Sequence, residues 1–222
     1  MLIAVQTPTQ PLPRGRHRLP RHQVVSSQRT RMLQGMAEAM MEKGYVNTTV
    51  ADVIKRAGVS RETFYQQFSS KADCFMTAFD EAADMLIGVV GAGSDIDAEA
   101  LVAGDGRVTE ARLVQFERAL TLYLDTLADH PEAARLFLVE VYAAGPEAIR
   151  RRAAIQQQIV GVVAAILGFA PDDEPNRFAC EVLVAAVSSM VTEPLVSADT
   201  DKLRALRDPL MSLVRRAVSL TT

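Results

Sequence analysis

The chain has 222 residues, 49% of them hydrophobic and none of them Trp, enough for one large apolar core or two smaller ones. Cys74 and Cys180 are its only cysteines, too far apart for a disulfide framework or metal knuckle, no basic leader precedes an apolar run at the start, and no uninterrupted run of about 18 apolar residues crosses a membrane. The net charge of −3 hides a split: residues 1–71 hold 11 Lys+Arg against 4 Asp+Glu, a balance of +7, while 72–222 hold 13 against 23, a balance of −10.

These features exclude a secreted disulfide scaffold and a membrane-spanning protein and point to the cytoplasm. The most apolar stretch, 159–170, is short and carries two glycines. A basic front neutralises phosphates and releases their counterions, whereas an acidic back is repelled by the same polyanion.

In residues 1–22, Pro8, Pro11, Pro13 and Pro20 oppose a regular helix. Arg14, Arg16, Arg18 and Arg21 make this a flexible basic arm, suited to a phosphate backbone or a minor groove. A solvated tail without specificity has the same composition. From 23 to 43 the pattern turns helical, with Val25, Met32, Met36 and Met40 on a stripe widened by Leu33 and Ala37, and Gly44 at its end.

Thr49 and Asp52 form a capping-box pattern that starts a second helix with Val50, Val53 and Ile54 on its apolar face. Gly58 is the residue type that adopts a left-handed backbone and swings the chain sharply onward. Ser60 then caps a third helix over 61–68. Phe64 and Phe68 form its apolar stripe at i, i+4, and Arg61, Thr63, Tyr65, Gln66 and Gln67 point elsewhere. Such a donor-rich and acceptor-rich face suits a major groove. An ordinary helical hairpin with a solvated polar face fits the same pattern.

Within 44–75 the fixed elements are Gly44 and Tyr45, Thr48 and Thr49, Ala57 to Ser60, Thr63 to Tyr65, Phe68, and Ser70 with Lys71. This segment closely resembles the DNA-binding segment of the tetracycline-repressor-like (TetR) family of bacterial transcription regulators. The resemblance implies an all-α protein with a three-helix helix-turn-helix domain over 23–70 and a larger helical regulatory and dimerisation domain over 71–222. It implies that Thr49, Tyr65 and Lys71 contact phosphates of an operator in double-stranded DNA, while Arg61, Thr63 and Gln66 face the bases. Ser60 caps the recognition helix and adds a phosphate contact. Arg61 is the residue expected to read guanine, a contact worth ~1–3 kcal/mol of discrimination. Family members commonly place Gly where this chain has Glu62, an acid that either faces solvent or pairs with Arg61.

Ser70 and Asp73 repeat the capping pattern and start a helix over 71–90 with Phe75, Phe79, Leu86 and Val90 on its buried side. In the family this helix joins the two domains and acts as a lever. Residues 91–106 read as a loop with a short turn at 97–103. Helices then follow at 109–129, at 136–144 after a restart at Pro131, at 146–168, at 177–197 and at 202–219, about nine in all. Pro194 and Pro209 predict a helix end near the first and a late start or kink at the second. The helix over 177–197 is apolar on more than one side. The resemblance implies that a second copy covers it, the last two long helices of each chain forming a four-helix bundle. A twofold homodimer sets its recognition helices ~34 Å apart on a palindromic site.

His17, His22 and His130 belong to no catalytic or metal-binding spacing, and no hydrolase, zinc-protease or nucleotide-binding signature occurs. Glu140 and Glu147 read as helix-surface or capping residues. No enzyme activity and no cofactor are expected. Phe79, Met85, Phe116, Tyr123, Phe137, Tyr142 and Met190 are the candidates to line a cavity for a small, largely apolar effector, and core packing accounts for the same residue types. The expected function is a regulator, in the first place a repressor released by that effector. The competing reading is a helical ligand-binding or protein-interaction module without operator binding.

Overall fold

The computed structural model of the chain describes residues 20–93 and 106–219, and every regular element among them is helical. Arg14, Arg16 and Arg18 of the basic arm and the expected turn at 97–103 lie outside the described residues. Helix α1, Arg21–Asn47, buries Met32, Leu33, Met36 and Met40. Against it pack α2, Val50–Ala57, through Val53 and Ala57, and α3, Arg61–Gln67, through Phe64. These three short cores are held by the expected local signals. Thr49 Oγ1 accepts from the Asp52 N–H at 3.2 Å and Asp52 accepts from the Thr49 N–H at 2.9 Å. Gly58 has φ +61°, a left-handed stop that only glycine takes without strain.

Helix α4, Lys71–Gly93, carries Phe75, Phe79, Ala82, Leu86 and Val90 on its buried side and reaches from the three-helix head into the rest of the chain. Helix α5, Glu110–Asp129, packs along it, followed by α6, Pro131–Leu138, and α7, Pro146–Leu167. The chain closes with α8, Glu174–Met190, α9, Thr192–Ser197, α10, Thr200–Ala205, and α11, Arg207–Ser219. One connected set of buried side chains runs from Met32 in α1 to Val214 in α11. With α8–α9 and α10–α11 each counted as one bent rod, the described residues hold nine helices. The first bend falls at Val191, because Pro194 has no N–H to donate back to Met190. In the second, Pro209 lies in the first turn of α11, where a missing donor costs nothing.

The continuous stretch Glu174–Ser197 has the length and composition of a membrane-crossing helix, with mean hydropathy 1.5, yet only 33% of that window is buried in the chain. Phe178, Val182 and Met190 stand exposed along it.

The pattern predicts one helix over 136–144 with Glu140 at its surface or as a cap. Instead α6 stops at Leu138, Val139 leaves helical geometry at φ −115°, and Glu140–Tyr142 form a single 3-10 turn. The reason is tertiary. Glu140 turns inward, where its carboxylate accepts from the Tyr45 N–H at 2.8 Å and meets Arg135 at 3.5 Å. That N–H is offered because Gly44, at φ +72° and ψ 165°, breaks the ladder of α1. The Thr48 hydroxyl donates to the Gly44 carbonyl at 2.8 Å. Apart from the Tyr123 phenol and the two cysteine thiols, Thr48 and Glu140 are the polar side chains buried among the described residues, and both serve this one kink.

Two outcomes follow from these bonds. Lys43 first, then Thr49, holds the Asp52 carboxyl far below the usual carboxylate range. A depressed native pKa gives stability that is complete at neutral pH and disappears as pH falls through and below the ordinary Asp value of about 4. Asp52→Asn therefore lowers Tm at neutral pH, and the gap to the parent narrows below about pH 4; a gap independent of pH would remove the charge as its cause. At the kink, Glu140→Ala orphans a buried N–H and costs about 1–3 kcal/mol in urea unfolding, while Glu140→Gln, which keeps an acceptor oxygen, recovers part of it. Equal losses for the two variants would show that the hydrogen bond contributes nothing.

Candidate nucleic-acid interface and ligand cavity

Helix α3 is pinned from below by Phe64 and by Phe68 just beyond its end, their rings 5.6 Å apart. On the opposite side Arg61, Glu62, Tyr65 and Gln66 are exposed, with Thr63 half-buried at the edge. The Arg61 guanidinium lies 5.3 Å over the Tyr65 ring and 3.4 Å from its hydroxyl. Gln66 donates to Glu62 at 3.3 Å, so the acid at that position is both exposed and bonded along its own helix. Ser60 accepts from the Thr63 N–H at 3.0 Å and its hydroxyl lies 2.9 Å from that of Thr63. The Thr49 hydroxyl donates to Asp52 at 2.7 Å within the cap of α2.

Lys71 takes a position that no local pattern signals. Its Nζ donates to the Tyr45 carbonyl at 2.8 Å and sits 4.2 Å over the Tyr45 ring, and burial lowers its pKa. It braces the start of α4 against the end of α1. Arg31 similarly donates to the Ala57 carbonyl at 2.6 Å and closes the end of α2. Of the expected DNA-facing set, the structure gathers Arg61, Tyr65 and Gln66 on one exposed face with Thr63 beside them. Thr49 and Ser60 stand at the starts of α2 and α3, and Lys71 is turned to Tyr45.

Behind the head, α4 to α8 enclose an apolar cavity. About 60 Å³ of it is open to the centre of a water-sized sphere, within about 670 Å³ of unfilled space that includes its mouth. Phe116 and Tyr123 of α5 and Phe137 of α6 line it, three of the seven expected residues. Phe79 lies behind the wall, stacked on Phe137 at 5.1 Å; Met85 is half-buried against the core; Tyr142 and Met190 are exposed. The ring of Phe79 continues to Phe75 at 6.0 Å and Phe75 to Tyr45 at 5.0 Å, so aromatic contacts lead from the cavity wall to the head.

The cavity also takes Arg152, Gln156 and Ser188, which residue type alone did not single out. Their signal is the register of α7: Arg152, Gln156, Ile159, Val163 and Ile166 follow spacings of four and three on one face. Cys74 and Cys180 are free and buried, and burial pushes their thiols up to about 12 and about 11. Among the described residues no three His, Cys, Asp or Glu side chains are grouped to hold a metal ion.

Residues 33–77 match the family model of the bacterial regulatory proteins of the tetR family. The HTH-type transcriptional regulator EthR of Mycolicibacterium smegmatis is 28% identical over 182 residues, 79% of this chain and 76% of that protein. Among solved structures, the fatty acid degradation regulator FadR from Bacillus halodurans superimposes with a TM-score of 0.66 at 16% identity, over 83% of this chain and 96% of that one. FadR from Bacillus subtilis, solved in complex with stearoyl-CoA, does so with a TM-score of 0.64 at 17% identity over the same shares, 83% and 96%. At these identities the solved structures show the fold alone. The helix-turn-helix is thus similar to that of the tetR-family regulatory proteins through its whole length, and the helices behind it are arranged as in solved regulators of that kind.

Proposed function

We propose that this chain is a TetR-family regulator, a homodimeric, cytoplasmic repressor that holds a palindromic operator through α3 and releases it when a small, largely apolar effector enters the cavity. The observation that carries the reading is the exposed face of Arg61, Tyr65 and Gln66 on a helix fixed from beneath by Phe64 and Phe68. The head extends over 23–70 and the regulatory and dimerisation body over 71–222, with the basic arm of 1–22 ahead of both. Arg61, Thr63 and Gln66 face bases. Thr49, Ser60, Tyr65 and Lys71 meet phosphates, Lys71 through the two ammonium protons it does not give to Tyr45.

The dimer forms through the last two long helices. Phe178, at 66% exposure, and Val182, at 53%, leave an apolar stripe on α8, and Leu213 is exposed on α11 at 49%. A helix apolar enough to cross a membrane, with only 33% of its apolar window buried, is best accounted for by a second copy packed against it. The cavity's lining favours an apolar ligand, and stearoyl-CoA in the Bacillus subtilis relative is an acyl compound held by the same fold. An effector that displaces Phe137 pushes through Phe79 and Phe75 on α4 toward Tyr45. Release requires only that the effector bind one spacing of the two heads better than the other.

Selection of operators from random DNA with the purified protein yields a palindrome, and Arg61→Ala weakens binding by about 1–3 kcal/mol and relaxes one guanine position. Absence of any palindromic site at low salt sinks the repressor reading, whereas an unchanged site with Arg61→Ala sinks only the role of that residue. Phe178→Glu, which buries a charge in the proposed interface, converts the dimer to monomer in sedimentation velocity. A variant that stays dimeric moves the interface elsewhere.

A further inference from the structure

Arg152 is the charged side chain of the cavity wall, and its surroundings are incomplete. It is half-buried, its Nε is shut off from solvent, and that atom has no hydrogen-bond partner. One of its terminal nitrogens donates to Gln156 at 3.3 Å, and the guanidinium lies 5.2 Å from the exposed ring of Tyr142. Among the described residues no carboxylate comes within 4.0 Å of it. Other arginines of the body differ: neighbouring Arg151 pairs with Asp80 at 2.8 Å, Arg135 with Glu140, and Arg204 with Asp125 and Asp129. A guanidinium carries five donors in a rigid fork, and a charge withdrawn from water needs a partner.

Two further polar groups face the same space. Tyr123, on α5 across the cavity, is buried and its hydroxyl has no hydrogen-bond partner among the described residues. Burial raises the pKa of that phenol, and the charge that opposes the shift is Arg152, which sets the two groups near one another. Ser188 of α8 adds a hydroxyl. Beyond them the wall is apolar: on α7, Ile159, Val163 and Ile166 continue the face that Arg152 begins, over a rise of ~21 Å.

We propose that the effector is a long-chain carboxylate, its head held by Arg152 with Tyr123, Gln156 and Ser188 around it and its tail laid along the Ile159, Val163 and Ile166 face. The proposal rests on the reading of this cavity as the effector site. A carboxylate presents two oxygens to the guanidinium fork and carries one negative charge for the one cation in the wall. A phosphate brings a second charge that nothing in the lining matches.

Calorimetric titration of the full chain with dodecanoate, dodecanol and dodecanoyl-CoA, with operator release followed in parallel, tests it. Dodecanoate binds at least about tenfold tighter than dodecanol. Arg152→Met removes that preference while leaving dodecanol affinity within about threefold, which also reports an intact fold, and Arg152→Lys restores part of it. Equal binding of acid and alcohol by the parent protein, a preference that survives Arg152→Met, or a thioester that outbinds the acid regardless of Arg152 overturns the proposal. If dodecanol alone binds and releases the operator, the anionic effector is wrong and the apolar one stands. If none of the three binds, both readings fall.

Discussion

The bond between the Glu140 carboxylate and the Tyr45 N–H is the constraint on which the relation of head to body depends. Gly44 takes a backbone conformation closed to other residues, so α1 loses its ladder there and the Tyr45 N–H has no helical acceptor. A residue 95 positions away supplies one, and Arg135 offsets the charge that this brings inside. Much of the other contact between head and body is apolar, through Phe75, Phe79 and Met40 among others, and apolar surfaces tolerate sliding. A directional bond to a buried carboxylate does not. It fixes the angle at which α1, and with it α2 and α3, leaves the body. Lys71 reinforces the same residue from the other side by bonding its carbonyl.

What was legible in the sequence was local. Thr49 with Asp52, Ser60 with Thr63, and Gly58 between them act on partners within four residues, so reading the chain in order finds them. Pro194 is equally local, since its missing donor breaks a ladder four residues long. Glu140 was illegible for the opposite reason: its partner is remote, and its neighbours Val139 and Val141 continue an apolar run that suggests helix. Arg152 follows two other arginines and so resembles a solvated face, yet the register of α7 turns it inward with Gln156 and Ile159. Residue type without register is a weak guide to a cavity. Tyr142 stands in a 3-10 turn outside any helical stripe, and Met190 lies at the end of the outer face of α8 that carries Phe178 and Val182.

The charge balance needs a similar qualification. The +7 of residues 1–71 suggests a strong field toward DNA, but much of it is spent inside the head. Arg31 closes α2, Arg56 pairs with Glu42, Lys43 pairs with Asp52, and Arg29 lies over the Phe68 ring at 4.7 Å. Each is a cation already engaged within the protein, the first three by hydrogen bonds and Arg29 by the Phe68 ring. Arg61 and Lys55 remain exposed on α3 and α2. Among the described residues few cations of the head are free, so on the proposed reading the geometry of α3 matters more than bulk charge.

The narrowness of the cavity links this geometry to regulation. A ligand shifts the balance between two states only by as much as it binds one of them better than the other. Only about 60 Å³ here admits the centre of a water-sized sphere, although the lining extends along α7 from Arg152 to Ile166. A ligand long enough to touch both ends must part α5, α7 and α8, and the wall that yields includes Phe137, whose ring bears on Phe79 and so on α4. The turn that follows α6 carries Glu140. On the proposed reading, widening the cavity therefore also bears on the turn that holds the Tyr45 anchor.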